Sequence, residues 1–402
     1  MATIPARILL VTNTLVGGGA ETLVRDLAVR FARRGATVGV AVLLRFRSFG
    51  DELDGVGIRT FEIGADGARD AVRIARRLSR VLDEFAPDIV HSHLSSSILA
   101  VRVVSLLRQR SRSRCARPVL VETTHASFEK TRWKYWMYRV TDGIQSLWTS
   151  VCSESIAAHE AAGAIRRGTG VCVPNGVDLS VFRPTDAGMR AATRAEFQVG
   201  DAFAWLAVGS FRDGAKDYGN LLHAFVRHAV GRGKDEILLI AGDGILRPRT
   251  EELARRLGLL DRVRFLGFRT DVPRLLAAAD GYVMSSAWEA MPMVLLEAGA
   301  AGVPAVVTDV GANRDIVVDG VTGFVVPPRD PVRLGEAMAR LAALPSAERQ
   351  SMGAQARERV RTYFDIERVA DAWIEVYQSL LTSGAPVQAF PGWAPSPTAV
   401  GR

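Results

Sequence analysis

Residues Ser285–Gly323 read SSAWEAMPMVLLEAGAAGVPAVVTDVGANRDIVVDGVTG. Just before them, GYVMS has the apolar run of a buried strand. Pro292 then opens an apolar helix, Gly302 stops it, and PAVVTDV reads as the next strand. The stretch is a strand–loop–helix–strand unit with one carboxylate in the loop, Glu289, and one on the helix, Glu297. A loop at the carboxyl end of a parallel strand is where an open α/β sheet binds its ligand.

The same grammar extends outward in both directions. Upstream lie a strand at Ala204–Ser210, the Gly- and charge-rich loop SFRDGAKDYGN, a helix LLHAFVRHAV and a strand at Ile237–Gly244. Helix Arg249–Leu257, strand VRFLGF and helix Val272–Ala279 complete the approach. Downstream come a strand at Thr322–Val326 and helices at Pro331–Leu344 and Ile366–Leu381. The amino-terminal half opens with strand Ala6–Thr14, the loop LVGGGAE, helix Glu21–Arg34 and strand ATVGVAVLL. Helix Ala71–Phe85, strand Asp88–Leu94, helix Ser95–Leu107 and strands Pro118–Ala126, Leu147–Ser155 and Val171–Asp178 follow. Alternating strands and helices over 402 residues predict two doubly wound, Rossmann-like α/β domains in series, facing across a cleft. The polar stretch Phe182–Arg190 puts the break near Arg183. The expected domains are 1–182 and 183–365, then a helix at 366–382 packing back toward the first domain, and a disordered Pro/Gly/Ala-rich tail at 383–402.

The net charge of +8 is uneven: residues 1–180 carry 25 Lys+Arg against 17 Asp+Glu, and residues 181–402 carry 26 of each. Anionic lipid, nucleic acid or a phosphorylated substrate would each suit that excess. Cys115, Cys152 and Cys172 lack metal-like spacing and imply neither a zinc site nor a disulfide framework, which fits a reducing cytoplasm. No apolar run approaches the roughly 20 residues of a membrane helix, and RILLV is too short for a secretory leader.

Three stretches leave alternatives open. Gly17, Gly18 and Gly19 lack the G-x-G-x-x-G spacing; they let a backbone approach an anion at a helix start, or simply form a tight turn. Arg69, Arg73, Arg76, Arg77 and Arg80 line one side of a helix, as a solvated face or a binding face, and Arg108, Arg110, Arg112, Arg114 and Arg117 make a basic loop. In FEKTRWKYWMYRV (Phe128–Val140), aromatics beside cations suit a core helix with a snorkelling rim, a membrane interface or base stacking. No nucleic-acid motif accompanies the run, and nucleic acid is not an expected partner.

The motif set resembles the GT-B glycosyltransferases of the large retaining family 4, in particular their bacterial capsule, exopolysaccharide and O-antigen members. The resemblance spans residues 7 to about 380. It rests on Glu289 and Glu297 in an E-x7-E signature, set in S-x-x-E-x-x-P-x-x-L-x-E-A and G-x-P-A-V-x-T-D-V-G. GGGAE after the first strand, PNGVD at the domain junction and VGS followed by Lys216 accompany it.

The resemblance implies a nucleotide-sugar donor, most simply UDP-linked, and a glycan or lipid-linked acceptor held by the first domain. Lys216 matches the family's phosphate lysine, a point charge for the leaving diphosphate. Glu297 resembles the residue that accepts both ribose hydroxyls; a carboxylate has lone pairs and no donor, which suits a diol. Glu289 resembles the residue that holds the transferred sugar. Ala290, Met291, Met293 and Val294 bring backbone amides toward the distal phosphate. Gly18 and Gly19 match the family's glycine loop, with Glu21 orienting that loop or capping its helix. His125 matches the histidine near the reacting sugar, and His93 is a lesser candidate. Asn175 and Asp178 look structural. His125, Glu289 and Lys216 are thus the expected catalytic set.

Three positions depart from the family pattern. Ser210 stands where many members have arginine, with Arg212 a possible substitute; Ala290 replaces a glycine, and Asp315 a glutamate. Retaining transfer in this family is described as front-face attack, the leaving phosphate helping to deprotonate the acceptor. It calls for no side-chain base, metal or cofactor, so Asp243 and Asp309 read as turn residues. Rival expectations are a catalytically silent nucleotide-sugar-binding partner of another transferase, an epimerase or hydrolase of the same fold, and, from charge alone, a nucleic-acid binder. A soluble cytoplasmic protein, peripheral on the inner face of the membrane, completes the expectation.

Overall fold

A computed structural model describes residues 6–45, 50–67, 70–110, 117–229, 236–384 and 387–393. Arg69, Arg112, Arg114 and the side chain of Arg110, all in the expected basic stretches, lie outside the described residues, as does Cys115. The chain divides into two units: residues 1–176 with 366–402, and residues 177–365.

Unit 1 runs β1 (Arg7–Thr12), α1 (Gly19–Arg33), β2 (Thr37–Leu44), α2 (Gly50–Gly55), β3 (Arg59–Ala65), α3 (Ala71–Phe85) and β4 (Ile89–His93). It continues α4 (Ser95–Arg110), β5 (Val119–Thr124), α5 (Arg132–Val140), β6 (Leu147–Ser150), α6 (Ser153–Ala161) and β7 (Gly170–Cys172). Its seven strands are all parallel, in the order β3-β2-β1-β4-β5-β6-β7. Strands buried on both faces tend to be apolar throughout, as Ile8–Val11 and Val38–Leu43 are, Gly39 apart. α1 buries Leu23, Val24, Leu27, Ala28 and Phe31, and Gly35, with φ of 90°, ends it.

Unit 2 runs α7 (Ala187–Glu196), β8 (Phe203–Val208), α8 (Tyr218–Ala229), β9 (Glu236–Ala241), α9 (Arg247–Arg256), β10 (Val263–Gly267), α10 (Val272–Ala278) and β11 (Gly281–Met284). Then come α11 (Met293–Ala300), β12 (Ala305–Thr308), α12 (Asn313–Ile316), β13 (Gly323–Val326), α13 (Pro331–Ala343) and α14 (Ser346–Tyr363). Its six parallel strands follow the order β10-β9-β8-β11-β12-β13. Trp205, Leu221, Phe225, Leu238, Leu334 and Met338 are among the buried residues of its core. The last helix, α15 (Ile366–Ser383), belongs to unit 1 and packs on α1. Phe31 and Tyr377 meet edge-on at 5.5 Å. Arg34 Nε lies 2.6 Å from the carboxylate of Asp371.

Several elements differ from expectation. The division falls at Gly176/Val177, ahead of Arg183, because Val177 N donates to Phe364 O at 2.8 Å, tying it to unit 2. The polar stretch read as a linker leads into α7, which Asp186 caps by accepting from Met189 N at 2.9 Å. The strand expected over Leu147–Ser155 stops at Ser150, and Ser153 starts α6. That expected over Val171–Asp178 stops at Cys172, two residues before Pro174. Within the tail expected to be disordered, Phe390 and Trp393 are buried, and the Phe390 ring packs on Trp373 at 5.2 Å. Two aromatic side chains can find an apolar surface even in a Pro/Gly-rich background.

Candidate active site

Each sheet reverses its strand order once, between β1 and β4 in unit 1 and between β8 and β11 in unit 2. Loops leaving adjacent strands diverge there and open a crevice. In unit 2 the loop after β8 carries Lys216 and the loop after β11 carries Glu289.

The first of these loops is shaped to bring its lysine back over the strand exit. Gly214–Lys216 forms a tight 3-10 turn, and the Asp213 carboxylate accepts from Ala215 N at 3.2 Å. The Lys216 stem then lies against Gly209, where a Cβ would sit 2.5 Å from Lys216 Cε. The second loop is stitched to the first. Ser285 Oγ donates to Lys216 O at 2.7 Å, and Ala287 N donates to Ala215 O at 2.7 Å. Lys216 Nζ donates to Glu289 Oε1 at 2.6 Å, and Ser286 Oγ donates to the same oxygen at 2.8 Å. Glu289 Oε2 accepts no hydrogen bond from the described residues.

The loop after β12 supports this arrangement. Gly311 has φ of 54°, and a Cβ there would lie 2.3 Å from Glu289 O. Ala312 N donates to Ala290 O at 2.7 Å. Ala290, Met291 and Met293 are buried and Val294 half-buried. No side chain caps the start of α11. Glu297 is buried on this otherwise apolar helix, 8% exposed. Arg212 is exposed and makes no ion pair or hydrogen bond with any described residue, so no contact fixes it in place of the arginine absent at Ser210. Asp243 accepts from Gly244 N at 2.8 Å, and Asp309 pairs with Arg314 at 2.5 Å. Among the described residues, no group of three or more His, Cys, Asp or Glu side chains could hold a metal ion.

In unit 1 the glycine loop leaves β1. Gly17 has φ of 32°, and Gly18 precedes the first helical residue, Gly19. Glu21 folds back over the loop: Thr14 Oγ1 donates to its Oε1 at 2.9 Å, and a Cβ on Gly18 would meet its Oε2 at 2.3 Å. Glu21 therefore holds the loop, and no side chain caps α1. Across the switch point, His93 ends β4, and His125 follows β5 one strand further on. His93 Nδ1 and His125 Nε2 are 3.1 Å apart. His91 bonds Tyr377 Oη at 2.6 Å and Thr123 Oγ1 at 2.7 Å. Burial pushes all three histidines below their ordinary range, His125 to about 4, with His91 and His125 adding to the depression at His93. Asn175 is buried, and Asp178 accepts from Ser180 N at 2.8 Å within its own turn.

The aromatic–basic run is α5. Tyr138 is buried, whereas Trp133, Trp136 and Val140 are 56%, 60% and 53% exposed. These three share a helix face at i, i+3 and i+7. Arg132 and Arg139 are exposed beside them and make no ion pair with any described residue. α5 is anchored from inside by Arg102, which donates to Tyr138 O and Thr141 Oγ1, both at 2.9 Å, and pairs with Glu122 at 2.6 Å with both side chains fully buried. α3 packs against α4 and α4 against α5. Arg73, Arg76 and Arg80 on α3 likewise have no acidic partner among the described residues. No described helix is long and apolar enough to cross a membrane.

Two doubly wound parallel sheets in series, each with polar candidates at or beside its switch point, define the GT-B class of fold. Residues 17–181 match Glycosyltransferase Family 4, and residues 192–359 match Glycosyl transferases group 1. The chain belongs to the GT-B glycosyltransferases of the family 4 type. It is 27% identical over 365 residues to the putative glycosyltransferase EpsF of Bacillus subtilis (strain 168), covering 86% of this chain and 90% of that protein. It is 26% identical to the Escherichia coli UDP-Gal:alpha-D-GlcNAc-diphosphoundecaprenol alpha-1,3-galactosyltransferase, covering 63% of this chain and 66% of that protein. The crystal structure of Anabaena HepE in complex with UDP and glucose superposes with a TM-score of 0.79 at 21% identity, over 93% of this chain and all of that one.

Several supporting residues were not singled out in the sequence. Ser285 and Ser286 immediately precede the signature, and their hydroxyls could have been read as loop-closing groups. The need for Gly311 lies in its contact with the loop after β11, and that for Gly209 in the fold-back of Lys216 within its own loop; neither has a signal in the local sequence pattern.

Proposed function

We propose that this chain is a retaining glycosyltransferase that moves a sugar from a UDP-linked donor to a hydroxyl of a lipid-linked glycan in cell-surface polysaccharide biosynthesis. The observation that carries this reading is the Lys216–Glu289 pair at the unit 2 switch point, with Glu297 buried on the helix that follows. Lys216 has three N–H donors, and Glu289 takes one; the others are available to a diphosphate. Glu289 Oε2 is available to sugar hydroxyls, and Glu297 is the acceptor for the ribose diol. Ala290, Met291, Met293 and Val294 supply backbone amides, and Arg212 adds positive charge from the loop. In unit 1, Gly18 and Gly19 are assigned to the donor phosphates and His125 to the transferred sugar. The HepE complexes and the donor in the E. coli relative's name support UDP.

In the reaction, the bond from the anomeric carbon to the β-phosphate oxygen breaks, and a bond to the acceptor oxygen forms on the same face. The acceptor proton passes to the departing diphosphate. Lys216 and the amides stabilise the charge that develops there. This chemistry uses no metal or cofactor.

The acceptor assignment draws on the exposed Trp133, Trp136 and Val140 beside Arg132 and Arg139, a composition suited to an anionic headgroup region. The protein would work in the cytoplasm, peripheral on the inner membrane face. A second reading, a silent nucleotide-sugar-binding partner, is favoured by Ser210 in the place of an arginine. Incubation with UDP-, GDP- and ADP-sugars plus membrane lipid extract separates the two. Release of UDP that depends on the lipid extract is expected. Binding of a donor without release by folded protein would favour the silent partner.

A further inference from the structure

We propose that His93 is a positioning residue for sugar transfer, acting through its hydrogen bond to His125. The proposal rests on the reading above, in which His125 serves the transferred sugar. The two rings lie 28° from parallel, their centroids 5.4 Å apart, with His93 Nδ1 and His125 Nε2 at 3.1 Å. A hydrogen bond between two neutral imidazoles needs an N–H on one side and a lone pair on the other. The tautomers are therefore coupled. If His93 Nδ1 donates, His125 carries its proton on Nδ1; if His93 Nδ1 accepts, His125 Nδ1 is a bare lone pair.

No other group in the described residues makes that choice. The second nitrogens, His93 Nε2 and His125 Nδ1, are buried and have no hydrogen-bond partner among them. Which hydrogen bond His125 can offer a sugar hydroxyl is thus coupled to the tautomer of His93.

His93 is itself held. Its ring lies 4.1 Å from that of His91, and His91 is locked at both nitrogens by Tyr377 and Thr123. The titratable groups that face it are His91 on its own strand and His125 on the loop after β5, and Tyr377 on α15 faces His91. The backbone is constrained too: Leu94, the next residue, has φ of 71°, and its N–H donates to Thr123 O at 3.2 Å. A leucine in the left-handed region is disfavoured, and such conformations persist where the surroundings impose them. The turn thus fixes His93 against His125 rather than letting the chain run directly from β4 into α4.

The test compares H93N and H93Q in the full chain. Asparagine sets its amide near the Nδ1 position, whereas glutamine sets it near Nε2 and matches the histidine volume better. We expect H93N to keep kcat within about threefold and H93Q to lose on the order of tenfold or more, with donor KM unchanged. Histidine-labelled ¹H–¹⁵N correlation spectra should show one neutral His125 tautomer in the wild type and in H93N, and a mixture in H93Q. A filler role for His93 would give the opposite ranking, glutamine above asparagine, and would overturn the proposal. Two His125 tautomers in the wild type would also overturn it, whether or not either variant folds. An active wild type with H93Q indistinguishable from it sinks this proposal alone. Folded wild type without turnover on any nucleotide sugar sinks the functional reading and this proposal with it.

Discussion

Lys216 and Glu289, 73 positions apart in sequence, form an ion pair of 2.6 Å between two loops at the carboxyl edge of one sheet. Both side chains are largely shielded, 17% and 15% exposed. The lysine is therefore already oriented, and the glutamate keeps one oxygen for another donor. Such preorganisation lets the charge act without reorganising during the reaction. Lys216→Ala is expected to lower kcat by about 10²–10³. The pair acts as a unit, so adding Glu289→Gln to Lys216→Ala should cost far less than Glu289→Gln costs alone. A double-mutant cycle on UDP release measures this; strictly additive losses would mean the two side chains act independently.

Gly311 supports Glu289 from outside the signature. At φ of 54°, with Glu289 O 2.3 Å from any added Cβ, Gly311→Ala must displace the backbone that carries the glutamate. The expected result is about 1–3 kcal/mol of lost stability together with weakened donor binding. Denaturant unfolding and calorimetry on the same sample read both quantities. Unchanged donor affinity would show that the loop after β12 does not hold the site.

The outward face of α5 predicts salt-sensitive membrane attachment. Wild-type protein should sediment with vesicles containing anionic lipid, less so as salt rises, and should not bind neutral vesicles. Replacing Trp133 and Trp136 by serine should abolish sedimentation without altering the thermal midpoint, since both side chains are more than half exposed. Binding to DNA in place of vesicles would return the basic surface to the nucleic-acid reading.

Acid should destabilise the protein through His91, His93 and His125. Each is neutral when folded because burial disfavours its cation. Below about pH 6.5 the unfolded chain binds protons that the folded chain refuses, so stability is full above that pH and falls as pH drops toward the folded values, about 4 for His125. Each histidine contributes a slope of at most about 1.4 kcal/mol per pH unit. Denaturant midpoints between pH 7 and pH 5 test this, and His125→Asn should flatten the slope by one proton.

The fold was legible because buried parallel strands are rich in apolar residues: β1, β9 and β11 are apolar nearly end to end, and β4 and β5 each open on an apolar run. What escaped notice was polar or short. RTFEIGA of β3, at the sheet edge, sets Arg59, Thr60 and Glu62 among its apolar residues, and α14 contains eight charged or amide side chains. At the site, Glu289, Glu297 and Lys216 were readable from motif context. Their pairing was not, since a contact across 73 residues leaves no local periodicity. The His93–His125 bond was equally hidden: two strand-end histidines signal a shared edge, and only parallel register, with His93 opposite Thr123, sets them side by side.

The most direct test is calorimetric titration of the purified chain with UDP and UDP-sugars. Saturable binding of UDP at a single site is expected, weakened at least tenfold in Glu297→Ala and in Lys216→Ala, each variant remaining folded, about 1.4 kcal/mol of binding energy or more. No binding by folded wild type, or binding that neither substitution alters, would contradict the assignment of this edge of unit 2 as a nucleotide-sugar site.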